Sequence, residues 1–484
     1  MSAEVSKKRD LTFVHFVVML LIIFGFGALS PFGAITPLGM KMMGVFLGLL
    51  YGWITSGMLW PSLVGWFAIA TTGIMDSPKD VFMAGFNSDI IIFMLFILVL
   101  VQMLSDSGAI NNVVNFIITR PFLQGRPWTF SFVFLFACGL LASLGQAYAA
   151  FFLGWGLLFG IFEKVGYKPY ELYAGVMIIG VVASAMPFGL MFPFKDIPLA
   201  LLSIFTSITG ISVNYLLYMA VMIPTGILIL LGYVLLCKYI LRPDVSKMQN
   251  FDIELLKAEN AQITRHQKAT LIAFLFALIC LLIPGSLPKT WAITQLFTSY
   301  GMAGPMVICA TLFCVIKVDG KPILDFPRSA RSGINWAIMF MMVTLMLMSS
   351  LLLSDATGIK QFLVDILGPL LTHFSGMTFL IVLSLIMIIL TNFMNNIIVG
   401  IMFIPVLATF YASTGANPIV GFMLIVLSIN AAFLTPASSP ASAMCFSRTD
   451  WINTKDIFKI MVIMVITCVI IGVPSILLLG SLIF

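Results

Sequence analysis

The sequence predicts an all-α polytopic membrane protein with about eleven transmembrane helices plus two re-entrant hairpins, arranged as two inverted repeats. The first observation behind this prediction is composition: of 484 residues, 61% are hydrophobic and 9% are charged, with a mean hydropathy of +1.12. Soluble domains carry about 25% charged residues. The second is that apolar windows long enough to span a bilayer recur from residue 12 to the C-terminus. The third is an internal repeat that relates the two halves of the chain.

The first apolar window, residues 12–29, is interpreted as a transmembrane helix and not as a removable signal peptide. It follows the charged segment MSAEVSKKRD, it shows no clear small-residue cleavage site, and further apolar windows come after it. Further spans are predicted near residues 39–57, 58–73, 89–106, 171–186, 213–237, 269–285, 299–316, 334–353, 418–432 and 457–483.

Two other apolar stretches, 128–162 and 377–411, are interrupted by polar residues near their middle. Each is long enough to enter and leave the membrane, and broken backbone at membrane depth is tolerated only where it faces protein or a wet cavity. Both are therefore predicted to be re-entrant hairpins. A long polar segment with six basic and four acidic residues separates the halves. The predicted organisation is a tail with the first helix (1–38), repeat 1 (39–237), a cytoplasmic linker (238–268) and repeat 2 (269–484).

The two halves match at a constant offset of 249 residues. The stretch LSDSGAINNVVNFI in the first half corresponds to LSDATGIKQFLVDIL in the second, each just before a predicted hairpin. The matching pairs are Ser105 and Ser354, Asp106 and Asp355, Pro169 and Pro418, and Pro187 and Pro436. Four matches in one register indicate a duplication.

The distribution of basic residues predicts that the two repeats have opposite orientations. The segments flanking the first hairpin contain Lys or Arg, whereas their counterparts, 368–376 and 412–417, contain none. Conversely, 317–331 carries four basic residues and its counterpart 74–88 carries one. With a cytoplasmic N-terminus, 20 of the 25 Lys and Arg residues fall on the inside, as the positive-inside rule requires. We expect a multi-pass protein of the cell membrane with its C-terminus outside.

Other classes of protein are disfavoured by the same sequence. The net charge of +6 lies in short loops between spans, which does not indicate nucleic-acid binding. The seven cysteines lack metal-ligand spacing, and the three histidines are far apart in sequence. No nucleophile with a base, no paired acids and no His-rich metal motif stands within the spans, so an enzyme is not expected. Inverted repeats with interrupted helices are typical of secondary transporters.

The polar break of the second hairpin, in ILTNFMNNIIVGIMFIPV (389–406), provides the first candidate site. Thr391, Asn395 and Asn396 are predicted to bind Na⁺, because an amide offers an oxygen to the cation and an N–H to a carboxylate. Asn395 and Asn396 are therefore also predicted to contact the substrate. The alternative is an asparagine ladder that joins the arms of the hairpin, and Asn392 is interpreted as such a brace.

The second candidate site lies in NAAFLTPASSPASAMCFSRTD (430–450), where a span breaks at a Thr-Pro pair. Pro436, Ser438 and Ser439 are predicted to contact substrate, because proline frees backbone carbonyls and serine supplies hydroxyl groups. A short helix is expected to resume near Ala441. The alternative, a simple helix kink, explains the proline but not the cluster of serines.

These two stretches resemble the divalent-anion/sodium symporter family of the ion-transporter superfamily. That family has Ser-Asn-Thr hairpin tips and Thr-Pro-rich breaks in the helices that follow; Asn396 and Thr391 match its second tip, and Ser439-Pro440-Ala441-Ser442 stands where it has Thr-Pro-Pro-Asn. The resemblance covers nearly the whole chain. It implies a homodimer, an elevator mechanism, and a dicarboxylate bound with Na⁺ as coupling ion between the hairpin tips.

The first repeat departs from the family pattern. Its tip reads ASLGQAYAAFF, with Ala147-Tyr148-Ala149 in place of Ser-Asn-Thr, and its break reads SAMPFGLMFPFKDIP, with aromatic residues where the family has Gly and Thr. The family ligands of a first Na⁺ site are therefore missing. The substrate contacts predicted in this repeat are Ser143, Gln146, Tyr148, Pro187 and Lys195.

Lys195 is the only basic residue in either helix break. One hypothesis is that its ammonium group replaces the missing Na⁺ or pairs with an anionic substrate. The alternatives are an ion pair with Asp196 at an aqueous edge, or a side chain that extends to the membrane interface.

The predicted function is secondary active transport of small organic anions of the di- or tricarboxylate class, coupled to Na⁺ by an elevator mechanism. One alternative is anion exchange without Na⁺, with Lys195 as a fixed charge. Another is Na⁺/H⁺ antiport, which is disfavoured because no unpaired Asp or Glu lies at the hairpin tips or the helix breaks to carry a proton. A passive anion channel is the alternative from a different class, and uptake against a gradient would exclude it.

Overall fold

Almost all regular structure in the described part of the protein is helical. The structure is a computed structural model that describes residues 11–109, 117, 120–145, 147–249, 263–287, 290–352, 354–359, 361–362, 365, 376–393, 396–414, 417–436 and 438–484. The first half contains helices α1 (Thr12–Gly27), α2 (Pro37–Ser56), α3 (Leu59–Thr71), α4 (Pro78–Phe86), α5 (Asp89–Asp106), α6 (Pro127–Leu144), α7 (Ala147–Val165), α8 (Leu172–Phe188), α9 (Asp196–Thr209) and α10 (Tyr215–Leu236).

The linker and the second half continue in the same way, with a single two-residue antiparallel strand pair among the described residues, β1 (Lys317–Val318) with β2 (Lys321–Pro322). The helices here are α11 (Ser246–Gln249), α12 (Arg265–Ser286), α13 (Ala292–Ser299), α14 (Ala303–Val315), α15 (Phe326–Gly333), α16 (Trp336–Leu352), α17 (Gly376–Thr391), α18 (Asn396–Thr414), α19 (Ile419–Ile429), α20 (Pro440–Phe446), α21 (Thr454–Thr467) and α22 (Val473–Ile483).

The predicted class, an all-α polytopic membrane protein, is confirmed, and each of the eleven predicted spans coincides with an apolar helix. Within the described residues, six helices are long and apolar enough to cross a bilayer by themselves. They are α2, α5, α6, α10 with its extension to Leu241, α12, and the continuous helix Thr454–Ile483. Several other apolar helices, including α8, α17, α18 and α19, are shorter. Short helices that end inside the protein are expected where spans are broken.

The helix limits around the two predicted hairpins repeat the offset found in the sequence. Adding 249 to the first residues of α6 and α7, Pro127 and Ala147, gives the first residues of α17 and α18, Gly376 and Asn396. The same offset carries the last residue of α7 to the last residue of α18. The two helix pairs thus occupy corresponding positions, and the duplication and the inversion of the repeats both stay predictions.

The chain divides into two compact units. Unit 1 comprises Met1–Ile91, Ser207–Thr209 and Asn335–Thr372, and unit 2 comprises Ile92–Thr206, Gly210–Ile334 and His373–Phe484. In unit 1, α1 lies so close to α2 that a side chain at Gly44 would collide with the backbone of Ile23. Unit 2 contains both helix pairs predicted to be hairpins and both helix breaks.

The first hairpin, α6 with α7, packs on α8, which is almost entirely buried. A Cβ at Gly139 of α6 would lie 2.7 Å from the Phe188 ring, so only glycine allows this approach. From α7, the indole N–H of Trp155 donates to the Ile178 carbonyl at 2.8 Å. This polar group on an apolar helix is thus paired with neighbouring backbone, as burial requires.

The second hairpin, α17 with α18, packs on α19 in a similar way. The rings of Phe379 and Phe410 stack across the two arms with centroids 3.8 Å apart. A Cβ at Gly421 of α19 would collide with the side chain of Leu407 on α18, so glycine permits this close contact. Every residue of α19 from Gly421 to Ile429 is buried, which places the end of this helix deep in unit 2.

Candidate functional site

The second helix break is a ten-residue segment, 430–439, between α19 and α20, and its serines bind the backbone that the break exposes. Ser442 Oγ donates to the carbonyl oxygens of Phe433 (2.9 Å) and Thr435 (2.8 Å). Ser439 Oγ donates to the Ala432 carbonyl at 3.0 Å and accepts from the Ser442 N–H, so it caps α20. Both serines are buried. The break is thus a built structure, and the simple-kink interpretation does not describe it.

Asn392, in the turn of the second hairpin, joins this turn to the break. Its amide nitrogen donates to the carbonyls of Ile388 (2.6 Å) and Ala431 (3.1 Å). Its amide oxygen accepts from the backbone N–H groups of Phe433 (3.0 Å) and Leu434 (2.7 Å). All four bonding positions of the side-chain amide are used. Asn392 is thus a brace, but its described bonds join the hairpin turn to the helix break and do not join one arm of the hairpin to the other.

Thr391 makes a second connection between the same two segments. Its hydroxyl group donates to the Ile429 carbonyl at 2.7 Å, at the last residue of α19, and the residue is fully buried. Because the hydroxyl group donates in this bond, the lone pairs of the Thr391 oxygen remain available, and a cation ligand needs such lone pairs. The hairpin turn and the end of α19 therefore form one rigid unit of backbone and side chain.

Asn396 begins α18 and differs from Asn392 in its hydrogen bonding. The residue is 7% exposed, and its Oδ1 atom is buried without a hydrogen-bond partner in the described structure. A buried acceptor that stays unpaired costs about 1–3 kcal/mol, so each such atom calls for an explanation. A second unpaired buried oxygen, Ser428 Oγ, stands one residue before Ile429. Unpaired oxygens on both segments are the donor chemistry that a hard cation uses.

The first helix break, residues 189–195 between α8 and α9, is held by backbone hydrogen bonds and by one tyrosine. Tyr218 on α10 donates to the Leu190 carbonyl at 2.9 Å. Pro187 lies in the last turn of α8 and is buried. The Lys195 N–H donates to the Phe192 carbonyl, and Lys195 then precedes the first residue of α9. The break is therefore anchored to α10 by Tyr218.

Lys195 is buried, with 8% of its surface exposed, and its ammonium group donates to the carbonyl of Gly145. Gly145 follows α6 directly, so this contact joins the first break to the tip of the first hairpin. A cation is favoured at the C-terminal end of a helix and disfavoured at the N-terminal end. Burial contradicts the alternative in which Lys195 extends to the interface. The side chain of Asp196 lies outside the described residues.

A cavity of about 100 Å³ brings the two repeats together in unit 2. It is lined by Ala142, Ala147, Ala185, Met186, Gly189, Leu190, Lys195, Ile197, Pro198 and Asn430. Among the described side chains of this lining, Lys195 is the only charged one. Asn430, from the second break, contributes a side-chain amide to the lining. The cavity is thus small and mostly apolar, with one cationic group and one polar group, a combination that suits a compact anion.

The predicted site residues fall into three groups. Asn396 and Lys195 are buried with the chemistry expected of a site, whereas Ser143, Ser438 and Ser439 donate to nearby backbone carbonyls. Pro436 is exposed, and Pro187 lies buried in the last turn of α8. Gln146, Asn395 and the side chain of Tyr148 lie outside the described residues.

Asn430 and Ser428 were not predicted. Both stand at the end of a long apolar run, where a polar residue in sequence is most simply explained as a helix end. Their position a few residues before the Thr-Pro pair of the break was the available signal.

Comparison with known proteins gives a family and a fold. The model of the sodium:sulfate symporter transmembrane region matches residues 163–484, which is 322 of the 484 residues. The YdaH transporter of Alcanivorax borkumensis, described as having an unusual topology, matches in structure with a TM-score of 0.54. The two sequences are 16% identical, and the match covers 97% of each chain. No curated protein sequence matches this chain significantly. The family resemblance predicted from the helix breaks is confirmed.

Proposed function

Because this chain belongs to the sodium:sulfate symporter family, we propose that it is a secondary active transporter that couples small organic anions to Na⁺. The proposed substrates are di- and tricarboxylates, and inorganic sulfate, which the family name includes, is the first competitor to test. The observation that carries the proposal is the buried, unpaired Oδ1 atom of Asn396 at the start of α18.

The Asn396 amide can serve both ligands at once. Its oxygen is a hard donor of the kind that Na⁺ prefers, and its nitrogen can donate to a carboxylate oxygen. Asn396 is also the first residue of a helix of 19 residues, where the free N–H groups and the helix dipole favour an anion. Thr391, tied to Ile429, would hold its oxygen in a fixed position beside the turn. We assign Asn395 to the same group.

The proposed transport cycle is an elevator movement of the part that carries the hairpins. Both hairpins and both breaks lie in unit 2, and the second hairpin is fastened to its break by Asn392 and Thr391. Fastened in this way, the two segments would move together with their ligands. We further propose a homodimer in the cell membrane with a cytoplasmic N-terminus, following the family and the loop charges.

Uptake of radiolabelled succinate into proteoliposomes, with and without an inward Na⁺ gradient, tests the proposal. We expect gradient-dependent accumulation that is lost in Asn396→Ala and retained in Asn453→Ala, because Asn453 is exposed and makes no cap hydrogen bond. Citrate and sulfate added as competitors define the substrate class. Saturable succinate counterflow that does not depend on Na⁺ would instead identify an exchanger. Movement of succinate only down its own gradient, without accumulation, would identify a channel.

A further inference from the structure

The end of α6 already carries a cation. The ammonium group of Lys195 lies against the carbonyl of Gly145, the residue that directly follows the last residue of α6. The carbonyl end of a helix is where a partial negative charge accumulates and where a mobile cation would bind. Lys195 occupies this position with a positive charge that is covalently part of the protein.

Helix formation does not explain the choice of lysine here. Lys195 immediately precedes α9, at the helix end where a positive charge is disfavoured. The residue is also 8% exposed, and burying an ammonium group is costly unless other groups compensate. Charged residues kept at such cost inside membrane proteins usually have a function.

The two repeats differ in a complementary way at this point. At the offset of 249 residues, Asn396 in the second repeat corresponds to Ala147 in the first, and Lys195 corresponds to Met444. At these two positions the second repeat has an asparagine, whose side-chain oxygen is unpaired among the described residues, and a methionine, whereas the first repeat has an alanine and a lysine. The tip of the second hairpin offers an oxygen ligand to a cation, whereas the tip of the first hairpin already contacts the Lys195 ammonium group.

Resting on the proposed function, we propose that the Lys195 ammonium is a tethered cation that takes the place of a mobile ion at the first hairpin. It anchors the hairpin tip through Gly145 and presents positive charge to the cavity of about 100 Å³ that it shares with Asn430. A Na⁺ ion beside it would be repelled, so only the second repeat binds a coupling ion. The transporter consequently moves fewer Na⁺ ions per cycle than a protein with two ion sites.

The test compares Lys195→Met, Lys195→Ala and the control Lys459→Ala in proteoliposomes. Met keeps the volume of the side chain and removes its charge, whereas Ala also leaves room at the Gly145 carbonyl. We expect at least a tenfold loss of succinate uptake in both variants. No loss is expected in Lys459→Ala, because Lys459 is exposed and, among the described residues, forms an ion pair only with Asp456. Methylammonium should restore uptake in Lys195→Ala but not in Lys195→Met.

Rescue by a small amine separates a cation role from a packing role, because methylammonium restores charge without restoring the side chain. The inference would be overturned if Lys195→Ala folds, as judged by size-exclusion chromatography, and its succinate uptake does not increase with methylammonium. Uptake by Lys195→Met at the wild-type rate would overturn it as well. Asp196→Asn tests the neighbouring carboxylate. If this single substitution reduces succinate uptake as much as Lys195→Met does, and methylammonium does not rescue Lys195→Ala, the lysine acts as the partner of Asp196 in an ion pair.

The wild-type protein supplies a measurement that needs no variant. Na⁺ activation of uptake should have a Hill coefficient near one, and a coefficient of two or more would contradict a single ion site. Na⁺-independent uptake in the wild type would refute the proposed coupling, yet amine rescue of exchange in Lys195→Ala would still support the tethered cation. The two proposals therefore fail on different results.

Discussion

The side-chain oxygen of Asn392 accepts a hydrogen bond from the backbone N–H of Leu434 at 2.7 Å, across 42 residues of sequence. Together with the bond to the Phe433 N–H, it satisfies two donors that the broken helix would otherwise leave unpaired. The amide nitrogen of the same residue donates to the carbonyl of Ala431, in the same break. One side chain thus fixes the geometry of a hairpin turn relative to a helix break.

We therefore expect Asn392→Ala to destabilise the protein strongly. The substitution leaves several buried backbone groups unpaired, and each costs about 1–3 kcal/mol. Thermal unfolding in detergent should show a clear decrease in Tm, and uptake should fall with it. Asn453→Ala, the same substitution at an exposed position, is the control and should leave Tm unchanged. Equal Tm values for the two variants would show that Asn392 does not brace the turn against the break.

The sequence allowed much of this architecture to be predicted, because long apolar windows and their polar interruptions are local features. The limits of the spans and of both hairpins agree with the helices to within a few residues. Short helices outside the windows, such as α4, α13 and α15, were not predicted. They are too short and too mixed in composition to produce a periodic signal.

The roles of the asparagines could be predicted only in part. In sequence, Asn392, Asn395 and Asn396 form one cluster, and nothing local separates them. The structure distinguishes Asn392, whose amide is fully bonded, from Asn396, whose oxygen is unpaired. The distinction depends on contacts about forty residues away, as does the Lys195 contact with Gly145, 50 residues away. Such pairings are set by tertiary packing and leave no periodic trace in the chain.

Ser442 offers a second test of the break. Its hydroxyl group donates to the carbonyls of Phe433 and Thr435, and only the latter also accepts from Ser438. We expect Ser442→Ala to lower stability by about 1–3 kcal/mol, since the Phe433 carbonyl loses this donor in a buried setting. Thermal unfolding measures the effect. Ser447→Ala, which removes an exposed hydroxyl bonded to Met444, serves as the control and should cost little.

A similar comparison tests the packing of the second hairpin. A Cβ at Gly400 of α18 would lie 2.8 Å from Leu201 on α9 and 3.3 Å from Ile429 on α19. Gly400→Val should therefore overpack the contact between the hairpin and the two helices next to the breaks, at a cost of about 1–3 kcal/mol. Reduced Tm and reduced uptake are expected together. At Gly156 of α7 no atom lies within 4 Å of a new Cβ, so Gly156→Val should be tolerated. A stable, active Gly400→Val protein would contradict this packing.

The unpaired oxygen of Asn396 predicts a dependence of stability on Na⁺. A ligand that binds only the folded protein stabilises it by about 2.7 kcal/mol at a concentration one hundred times its Kd. We expect the Tm of the wild-type protein to rise with NaCl and not with choline chloride at equal ionic strength. Asn396→Ala should lose this rise and keep its Tm without Na⁺, because removing an unpaired buried acceptor also removes its desolvation cost.

This pattern separates Asn396 from its neighbour in the turn. Asn392→Ala should be unstable in both salts, since its amide already bonds to protein, and Asn453→Ala should retain the full Na⁺ effect. If Asn396→Ala were destabilised without Na⁺ and still responded to it, the amide would have to be bonded to protein instead of to an ion. The coupling site would then lie elsewhere, with Ser428 Oγ, the other unpaired oxygen beside the second break, as the next position to substitute.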